Sequence, residues 1–203
     1  MDTPQTADAY FEQAKLYYIA GDYFTAIEYY TQAITLNPDY QQAYNNRGDI
    51  YRLIGDYDSA FADFEQAIRL NPQDPYPHYN SSNAYYKMGD DDNALTHIHQ
   101  AIVLDELYEN AYFLRGCIYM RRYKANFKEA MNDFDHAITD LNKTIFLNPA
   151  HVDAYNNRAM CYLNIEQFDL ALQDVEMALQ LNPHHENAQK NRVIILDLMN
   201  KKG

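Results

Sequence analysis

The chain has 203 residues, 47% of them hydrophobic, and a formal net charge of −13. This acidic balance argues against a nucleic acid as the principal ligand, because such binding depends on lysine and arginine neutralising phosphates. No stretch reaches the roughly 18 apolar residues of a membrane span, the first residues do not resemble a secretory signal, and Cys117 and Cys161 are too far apart in sequence to suggest a disulfide framework. We therefore expect a cytoplasmic protein that does not bind nucleic acid and does not insert into a membrane.

One helix pair recurs along the chain, and residues 41–72 show its pattern most clearly. Apolar and small residues return there at i, i+3/i+4 and i+7, which predicts two amphipathic helices over about 41–54 and 57–70. Gly55 supplies a left-handed end to the first helix. A proline stops the second helix because it cannot continue the helical ladder. The recurring residues are Tyr44, Gly48, Tyr51, Gly55, Asp56, Tyr57, Ala60, Phe64, Ala67 and Pro72.

This pattern resembles the tetratricopeptide repeat, a helix-turn-helix unit of 34 residues with aromatic residues, small contact residues and a closing proline at set places. The resemblance covers nearly the whole chain. It implies an all-α fold, a right-handed α-solenoid of antiparallel helix pairs. We expect a flexible tail at residues 1–6, five repeats, and a C-terminal capping helix at 186–203. The five repeats are 7–40, 41–74, 75–108, 109–151 and 152–185.

The third repeat departs from the pattern where its second helix should end. Asp105 and Glu106 stand there in place of the Asn-Pro pair of the second repeat. Without the proline, the stop signal is weaker. We therefore expect either a softer helix boundary near Asp105 or two helices that run closer to continuous.

The fourth repeat closes nine residues late, at Asn148–Pro149. The apolar positions of its second helix fit the signature in two registers that are seven residues apart. Because seven residues are about two helical turns, both registers share one face. We expect a lengthened second helix from about Phe127 to Leu147, continuous through His136, after an enlarged turn around 122–126.

No motif for catalysis, cofactor binding or metal binding stands out, so we expect no enzymatic activity, no cofactor and no metal site. All six glycines fall at helix ends, helix contacts or the last position, which leaves none for a phosphate-binding loop. His97 and His99 diverge on a helix, and neither H-E-x-x-H nor C-x-x-C occurs. A catalytic set that assembles only in space stays open as an alternative.

A basic cluster stands out in the fourth repeat of this acidic chain. Two interpretations are open. The cations lie near the C-terminus of a first helix, where the helix dipole favours them, or they form a docking patch for an acidic partner. The cluster consists of Arg121, Arg122, Lys124 and Lys128.

In proteins of the tetratricopeptide repeat family, the first helices of successive repeats line a concave surface that holds a peptide or a partner's segment. The resemblance places the second, fifth, sixth, ninth, twelfth and thirteenth side chains of each repeat on that surface. Asparagines repeated there would bind the backbone of an extended peptide, since a carboxamide both donates and accepts. Aromatic side chains would add anchors. The predicted groove residues are Asn45, Asn46, Asn80, Asn83, Asn110, Asn156, Asn157, Tyr18, Tyr76, Tyr79, Tyr86, Phe113 and Arg52.

Two alternatives remain for these groove residues. The asparagines also suit a plain solvated helix face, and some of the rings also suit packing between repeats. The cap has alternatives of its own, because its apolar residues point nearly all round the helix. One face should pack on the fifth repeat, and the other is either exposed or contacts a second copy of the chain through Val193, Ile194 and Leu198.

The sequence therefore predicts a non-catalytic module that binds a protein or peptide in its concave groove. The alternative is an oligomeric structural adaptor that assembles through the apolar cap and the elongated helix of the fourth repeat.

Overall fold

A computed structural model describes the backbone of residues 6–125 and 130–202, and the side chains of 6–122 and 133–201. The predicted tail, residues 1–6, lies outside these ranges except for Thr6. All secondary-structure elements in the described part are α-helices, so the prediction of an all-α stack of antiparallel helix pairs is confirmed. The helices are α1 (Ala7–Ile19), α2 (Tyr23–Leu36), α3 (Gln41–Ile54), α4 (Tyr57–Leu70), α5 (Pro75–Met88), α6 (Asp91–Leu104), α7 (Glu109–Ala125), α8 (Ala130–Leu147), α9 (Val152–Asn164), α10 (Phe168–Leu181) and α11 (Glu186–Lys202).

These helices group into two compact units, unit 1 (residues 1–105) and unit 2 (residues 106–203). In each unit, the helices of a pair approach each other closely through fully buried alanines such as Ala26 and Ala171. Larger side chains fill the remaining space, Phe64 in unit 1 and Leu141 in unit 2. Such close packing makes both cores sensitive to single methyl groups.

Aspartates start the second helices of unit 1. Asp22, Asp56 and Asp90 each stand directly before a helix, and each carboxylate accepts a backbone N–H from three residues further on, at 3.1–3.2 Å. This bond satisfies one of the N–H groups that a helix leaves open at its start. A negative charge there also suits the helix dipole.

Glycines in left-handed conformation follow the first helices of unit 1. Gly55 and Gly89 both have φ of 85°, a region that side chains disfavour. In the fifth repeat Glu166 stands at the same place and has φ of 62°. In the fourth repeat the place belongs to Tyr123, and the helix does not end there but continues to Ala125.

The prediction of an enlarged turn at 122–126 is therefore wrong for residues 122–125, which are helical because no glycine ends α7. The additional residues of the fourth repeat lengthen both helices: within the described residues α7 has 17 residues and α8 has 18, against 14 in α3 and in α4. Helix α8 reaches Leu147 and continues through His136, as predicted. Its predicted start at Phe127 lies outside the described residues.

The expectation of a softer boundary at Asp105, or of two helices that run closer to continuous, is also wrong. Helix α6 ends at Leu104, and Asp105 has φ −141° and ψ 99°, close to the −141° and 89° of Asn71 after α4. The backbone N–H of Asp105 still donates to the carbonyl of Ala101 at 3.0 Å. Aspartate adopts the same extended conformation as asparagine, so the helix ends without the proline.

An arginine on the first helix is tied to an aspartate on the second helix in three of the pairs. Arg47 donates to Asp63 through Nε at 2.8 Å and a terminal nitrogen at 2.7 Å. The aspartates are only 3–5% exposed, and tyrosine rings lie beside the guanidinium groups at 5.6–5.9 Å. The other two pairs are Arg115–Asp140 and Arg158–Asp174, with bonds of 2.6–2.8 Å.

The α5–α6 pair has a different contact at this place. Ser81 and His97 replace the arginine and the aspartate, and His78 stands where the second repeat has Tyr44. The Nδ1 atoms of the two histidines are 3.3 Å apart, so one imidazole donates a hydrogen bond to the other. Burial lowers the pKa of His78, and burial followed by the charge of His78 lowers the pKa of His97.

Mild acid should therefore destabilise unit 1 through these two histidines. Both imidazoles take up protons less readily in the fold than in the unfolded chain, where they do so below a pH of about 6.5, so their contribution to stability falls as the pH drops through that value. Urea unfolding between pH 7.5 and 5.5 should show the loss, and the double variant His78→Tyr/His97→Phe should lose less stability over the same range. The control is His184→Ala, which removes an exposed histidine and should lose as much stability as the parent. A loss in the double variant as large as in the parent would show that His78 and His97 are not the cause.

Candidate binding groove

Side-chain hydrogen bonds connect the first helices of neighbouring repeats within each unit. In unit 1 the carboxamide of Asn80 on α5 donates to Oδ1 of Asn45 on α3 at 3.0 Å. In unit 2 Asn191 on α11 donates to Oδ1 of Asn156 on α9 at 2.8 Å. Both pairs are 35 residues apart, so the fifth side chain of one repeat accepts from the sixth side chain of the next. The first helices therefore adjoin along one face.

This contact corrects part of the predicted ladder. Asn156 is only 5% exposed beneath α11, so the expectation that it lines a groove is wrong. Asn45 and Asn80 are half-buried, and each already uses part of its carboxamide in their mutual bond. These three asparagines join neighbouring repeats, a role that the alternative of a plain solvated face also missed.

Asn46 and Asn157 form weaker bonds on the same face. Asn46 donates to the hydroxyl of Tyr30 at 3.4 Å, and Asn157 donates to Sγ of Cys117 at 3.5 Å. Burial raises the pKa of Cys117 to about 12, so the sulfur is a neutral thiol and a poor acceptor. The 3.4 Å bond to the hydroxyl oxygen of Tyr30 is close to the limit for a hydrogen bond. Both carboxamides can therefore exchange their partner for a ligand at little cost.

Asn83 and Asn110 complete the predicted set. Asn83 is half-buried on α5 and Asn110 is exposed on α7, and within the described ranges neither carboxamide is hydrogen-bonded to another residue. Their donors and acceptors are open to solvent or a ligand. Arg52 on α3 is bonded to Asp49, with 13% of its side chain exposed.

The predicted aromatic anchors differ in exposure. Tyr76 is 54% exposed and Tyr18 is 38% exposed, so both offer ring surface to a partner. Tyr79 and Tyr86 are half-buried. Phe113 is half-buried as well and lies 4.5 Å from the ring of His151, which caps α9. Phe113 therefore contributes to packing between repeats, whereas Tyr18 and Tyr76 remain accessible.

A pocket of 360 Å³ opens between α1 and α3 in unit 1. Its apolar wall is formed by Tyr18 and Ile19, and its polar groups include Asn46 and Asp49. The lining residues are Lys15, Tyr18, Ile19, Tyr30, Asn46 and Asp49. Pockets with an apolar wall and a few polar groups are the usual form of a binding site. This pocket brings two predicted groove residues, Tyr18 and Asn46, together.

Charges shape this pocket. Burial raises the pKa of Tyr18, and the carboxylate of Asp49 raises it further. Burial likewise raises the pKa of Tyr30 to about 12. Arg52 donates to Oδ1 of Asp49 through Nε at 2.9 Å and a terminal nitrogen at 2.7 Å. Lys15 donates to both carboxylate oxygens of Glu12, at 2.9 and 3.1 Å.

The sequence reasoning did not select Ile19 or Tyr30 for this site. Tyr30 belongs to the second helix of its repeat and its side chain is buried, so a pattern of first-helix positions passes over it. One signal was available. Tyr30 stands where the next two repeats have Phe64 and Ile98, and a buried hydroxyl, unlike those apolar side chains, needs a polar neighbour. The Arg47–Asp63 pair was visible in the same way, because Arg158 and Asp174 repeat it at the same spacing of 16 residues.

The capping helix α11 packs on unit 2 through one face. Ile195 is fully buried, Leu198 is half-buried, and Val193 and Ile194 are 67% and 46% exposed. Ion pairs lie on the same helix, Lys190–Glu186 at 3.5 Å and Lys201–Asp197 at 2.5 Å. The two exposed apolar side chains therefore stand on a helix that is otherwise well supplied with charges.

The basic cluster is only partly described. Arg121 and Arg122 are half-buried near the end of α7, and Nε of Arg122 lies 3.7 Å from Oδ2 of Asp133. The side chains of Lys124 and Lys128 lie outside the described ranges. Across the described residues, no three histidine, cysteine or carboxylate side chains are placed to hold a metal ion. No helix in that part of the chain is both long and apolar enough to cross a membrane.

Comparison with known families supports the repeat pattern. Sequence models of the tetratricopeptide repeat match residues 7–40, 29–62 and 152–185, and a model described as TPR repeat matches residues 48–89. The chain belongs to the tetratricopeptide repeat family. Members of this family bind peptides or proteins and are generally interaction modules without catalytic activity. No curated protein matches the chain significantly.

Solved structures share the fold. The chain is similar to the MamA protein (22% identity, TM-score 0.68, covering 87% of this chain and 92% of that chain). It is similar to YrrB, described as a TPR protein with an unusual peptide-binding site (24%, 0.67, 91% and 90%). It is also similar to PilF of Pseudomonas aeruginosa (14%, 0.83, 97% and 85%). At these identities the likeness concerns the fold alone.

Proposed function

We propose that the protein is a scaffold or adaptor that binds an extended segment of a partner protein along the first helices of unit 1. The pocket between α1 and α3 carries this proposal, because it joins an accessible ring, Tyr18, with the weakly bonded carboxamide of Asn46. The binding of peptides by members of the family supports it, as does the peptide-binding site named for YrrB.

The binding mode follows from the side chains on this face. Asn46 and Asn83 offer donors and acceptors to the N–H and C=O groups of the partner's backbone. Tyr18 and Tyr76 offer exposed ring surface, and a ring with a polar end is a common centre of binding energy. In unit 2, Asn157 and Asn110 offer the same backbone contacts. Asn45, Asn80 and Asn156 act indirectly, because they keep the first helices in register.

The double variant with alanine in place of Asn46 and Asn83 should weaken binding of a displayed peptide by roughly 30-fold and lower stability by no more than about 1 kcal/mol. Each loses bonds to a partner's backbone that are worth about 1 kcal/mol. Peptides selected from a random display library on the intact chain would be measured by fluorescence anisotropy. The matched control is Asn200→Ala on the exposed side of α11. Equal affinities for all variants would place the binding site elsewhere.

A second function rests on the exposure of Val193 and Ile194 on α11. Under this alternative, the chain is an adaptor that assembles with a second copy through its cap, together with the elongated α8. Light scattering over a range of concentrations should then show a larger mass that Ile194→Glu abolishes. A monomer at all concentrations would exclude it. The charged pairs on α11 favour the peptide-binding function over this one.

A further inference from the structure

The two units differ strongly in charge. Residues 1–105 contain 16 of the 29 acidic side chains and only five of the 16 basic ones, a net charge of −11, whereas residues 106–203 have a net charge of −2. Three of the five cations of unit 1 are already paired with carboxylates of the same unit, namely Lys15, Arg47 and Arg52. Unit 1 therefore presents a negative field that attracts and orients cationic partners.

The pocket between α1 and α3 lies within this acidic unit. Its two cations, Lys15 at the wall and Arg52 beside it, are each bonded to a carboxylate, Glu12 and Asp49. Both bonds from Arg52 go to Oδ1 of Asp49, and the hydroxyl of Tyr18 also hydrogen-bonds to this carboxylate. A carboxylate has about four acceptor sites, so Asp49 can still accept from a guest. Negative charge near the pocket also raises the pKa of two tyrosines. After burial, Asp49 raises the pKa of Tyr18, and Glu12 contributes to raising that of Tyr30.

The remaining surfaces of the pocket suit the stem of a basic side chain. Tyr18 supplies an aromatic face that is 38% exposed, and Ile19 supplies an aliphatic one that is 78% exposed. An aromatic face attracts a cation, and the methylene stem of lysine or arginine packs on apolar surface while its charged end stays solvated. The same helix already holds a cation in this way, because Nζ of Lys15 lies 5.6 Å from the ring centre of Phe11.

We propose that the α1–α3 pocket selects a lysine or arginine side chain of the partner segment, which packs on Tyr18 and bonds to the carboxylate of Asp49. This inference rests on the proposed function, because it names the side chain that the bound segment brings. Asn46 then donates to or accepts from the adjacent backbone. The field of unit 1 adds a preference for further positive charge on both sides of that residue, which falls with salt because exposed charges are screened beyond about 8 Å.

A random peptide display library selected on the intact chain tests the proposal. The selected peptides should be enriched in lysine and arginine, and the tightest of them should bind Asp49→Asn about tenfold more weakly than the parent chain. Asp58→Asn is the matched control, because Asp58 is an exposed acidic residue of the same unit on α4 and its loss changes the net charge equally. Asp58→Asn should change affinity by less than about twofold.

A coupling measurement separates the pocket from the general field. Replacing the basic residue of the selected peptide by methionine should weaken binding to the parent chain but change binding to Asp49→Asn little, because the two groups act as a pair. The selection of a basic side chain by this pocket would be overturned in either of two cases, and the proposed function would remain. The first is that the selected peptides contain no basic residue, and the second is that Asp49→Asn and Asp58→Asn lose equal affinity. Failure to select any peptide would overturn both.

Discussion

Alanine in place of Asp63 should lower the free energy of unfolding by about 3–5 kcal/mol, because it leaves the guanidinium of Arg47 without its carboxylate inside a helix pair. Only 15% of the Arg47 side chain is exposed, and its one other described hydrogen bond goes to the hydroxyl of Thr31 at 2.9 Å. Burial raises the pKa of Asp63, an effect that Arg47 opposes. The charge on each partner therefore depends on the other. Urea unfolding followed by circular dichroism measures the loss.

The chain contains a matched exposed pair as a control. Arg192 on α11 lies at the place that corresponds to Arg47, and it donates to Glu176 at 3.3 Å with 45% and 53% of the two side chains exposed. Glu176→Ala should cost less than about 1 kcal/mol, because solvent screens an exposed pair. Similar losses for Asp63→Ala and Glu176→Ala would show that burial does not set the strength of these pairs.

Alanine in place of Gly48 should destabilise the chain by about 1–3 kcal/mol, the usual range for an overfilled core. A Cβ atom at this position would lie 2.7 and 2.9 Å from two ring carbons of Phe64 and 3.1 Å from Cβ of Asp63. The Phe64 ring is fully buried and has little room to move. Thermal unfolding measures the loss, and the second change Phe64→Leu should restore part of it because the shorter side chain vacates the contact.

Gly116 gives the control for this prediction. It occupies the same place on α7, but a Cβ there would be 3.3 Å from Cγ of Leu141, its nearest neighbour. Alanine also favours a helix over glycine by about 0.5–1 kcal/mol, so Gly116→Ala should be close to neutral. A loss for Gly116→Ala as large as for Gly48→Ala would mean that the ring of Phe64 is not the cause.

Helix positions were predictable because their signals are local. The spacing of apolar residues, the aspartates before α2, α4 and α6, and the glycines after α3 and α5 act within one or two turns of the backbone. The errors arose where one local signal was missing. Tyr123 stands where other repeats have a glycine, and α7 continues past it. No proline follows Asp105, but α6 ends there all the same, because the aspartate has the same backbone conformation as Asn71.

The candidate site was predictable only in part. Family resemblance selected the face, and Tyr18 and Asn46 do meet at a pocket there. It could not separate asparagines by role, because Asn45 and Asn46 are neighbours on one helix and differ only in what approaches them. Asn156 was assigned to the groove although α11 covers it.

The sequence by itself determined the family, the all-α helix pairs and most helix ends, since these follow from short-range spacing and backbone preferences. The tertiary structure decided which side chains remain available. Carboxamides used between repeats, the hydroxyl of Tyr30 at the pocket, and the pairing of Arg47 with Asp63 all depend on residues from different helices. Packing sets the distances between these side chains. Burial then determines whether a charge or a hydrogen-bond donor is paired within the fold or accessible to a partner.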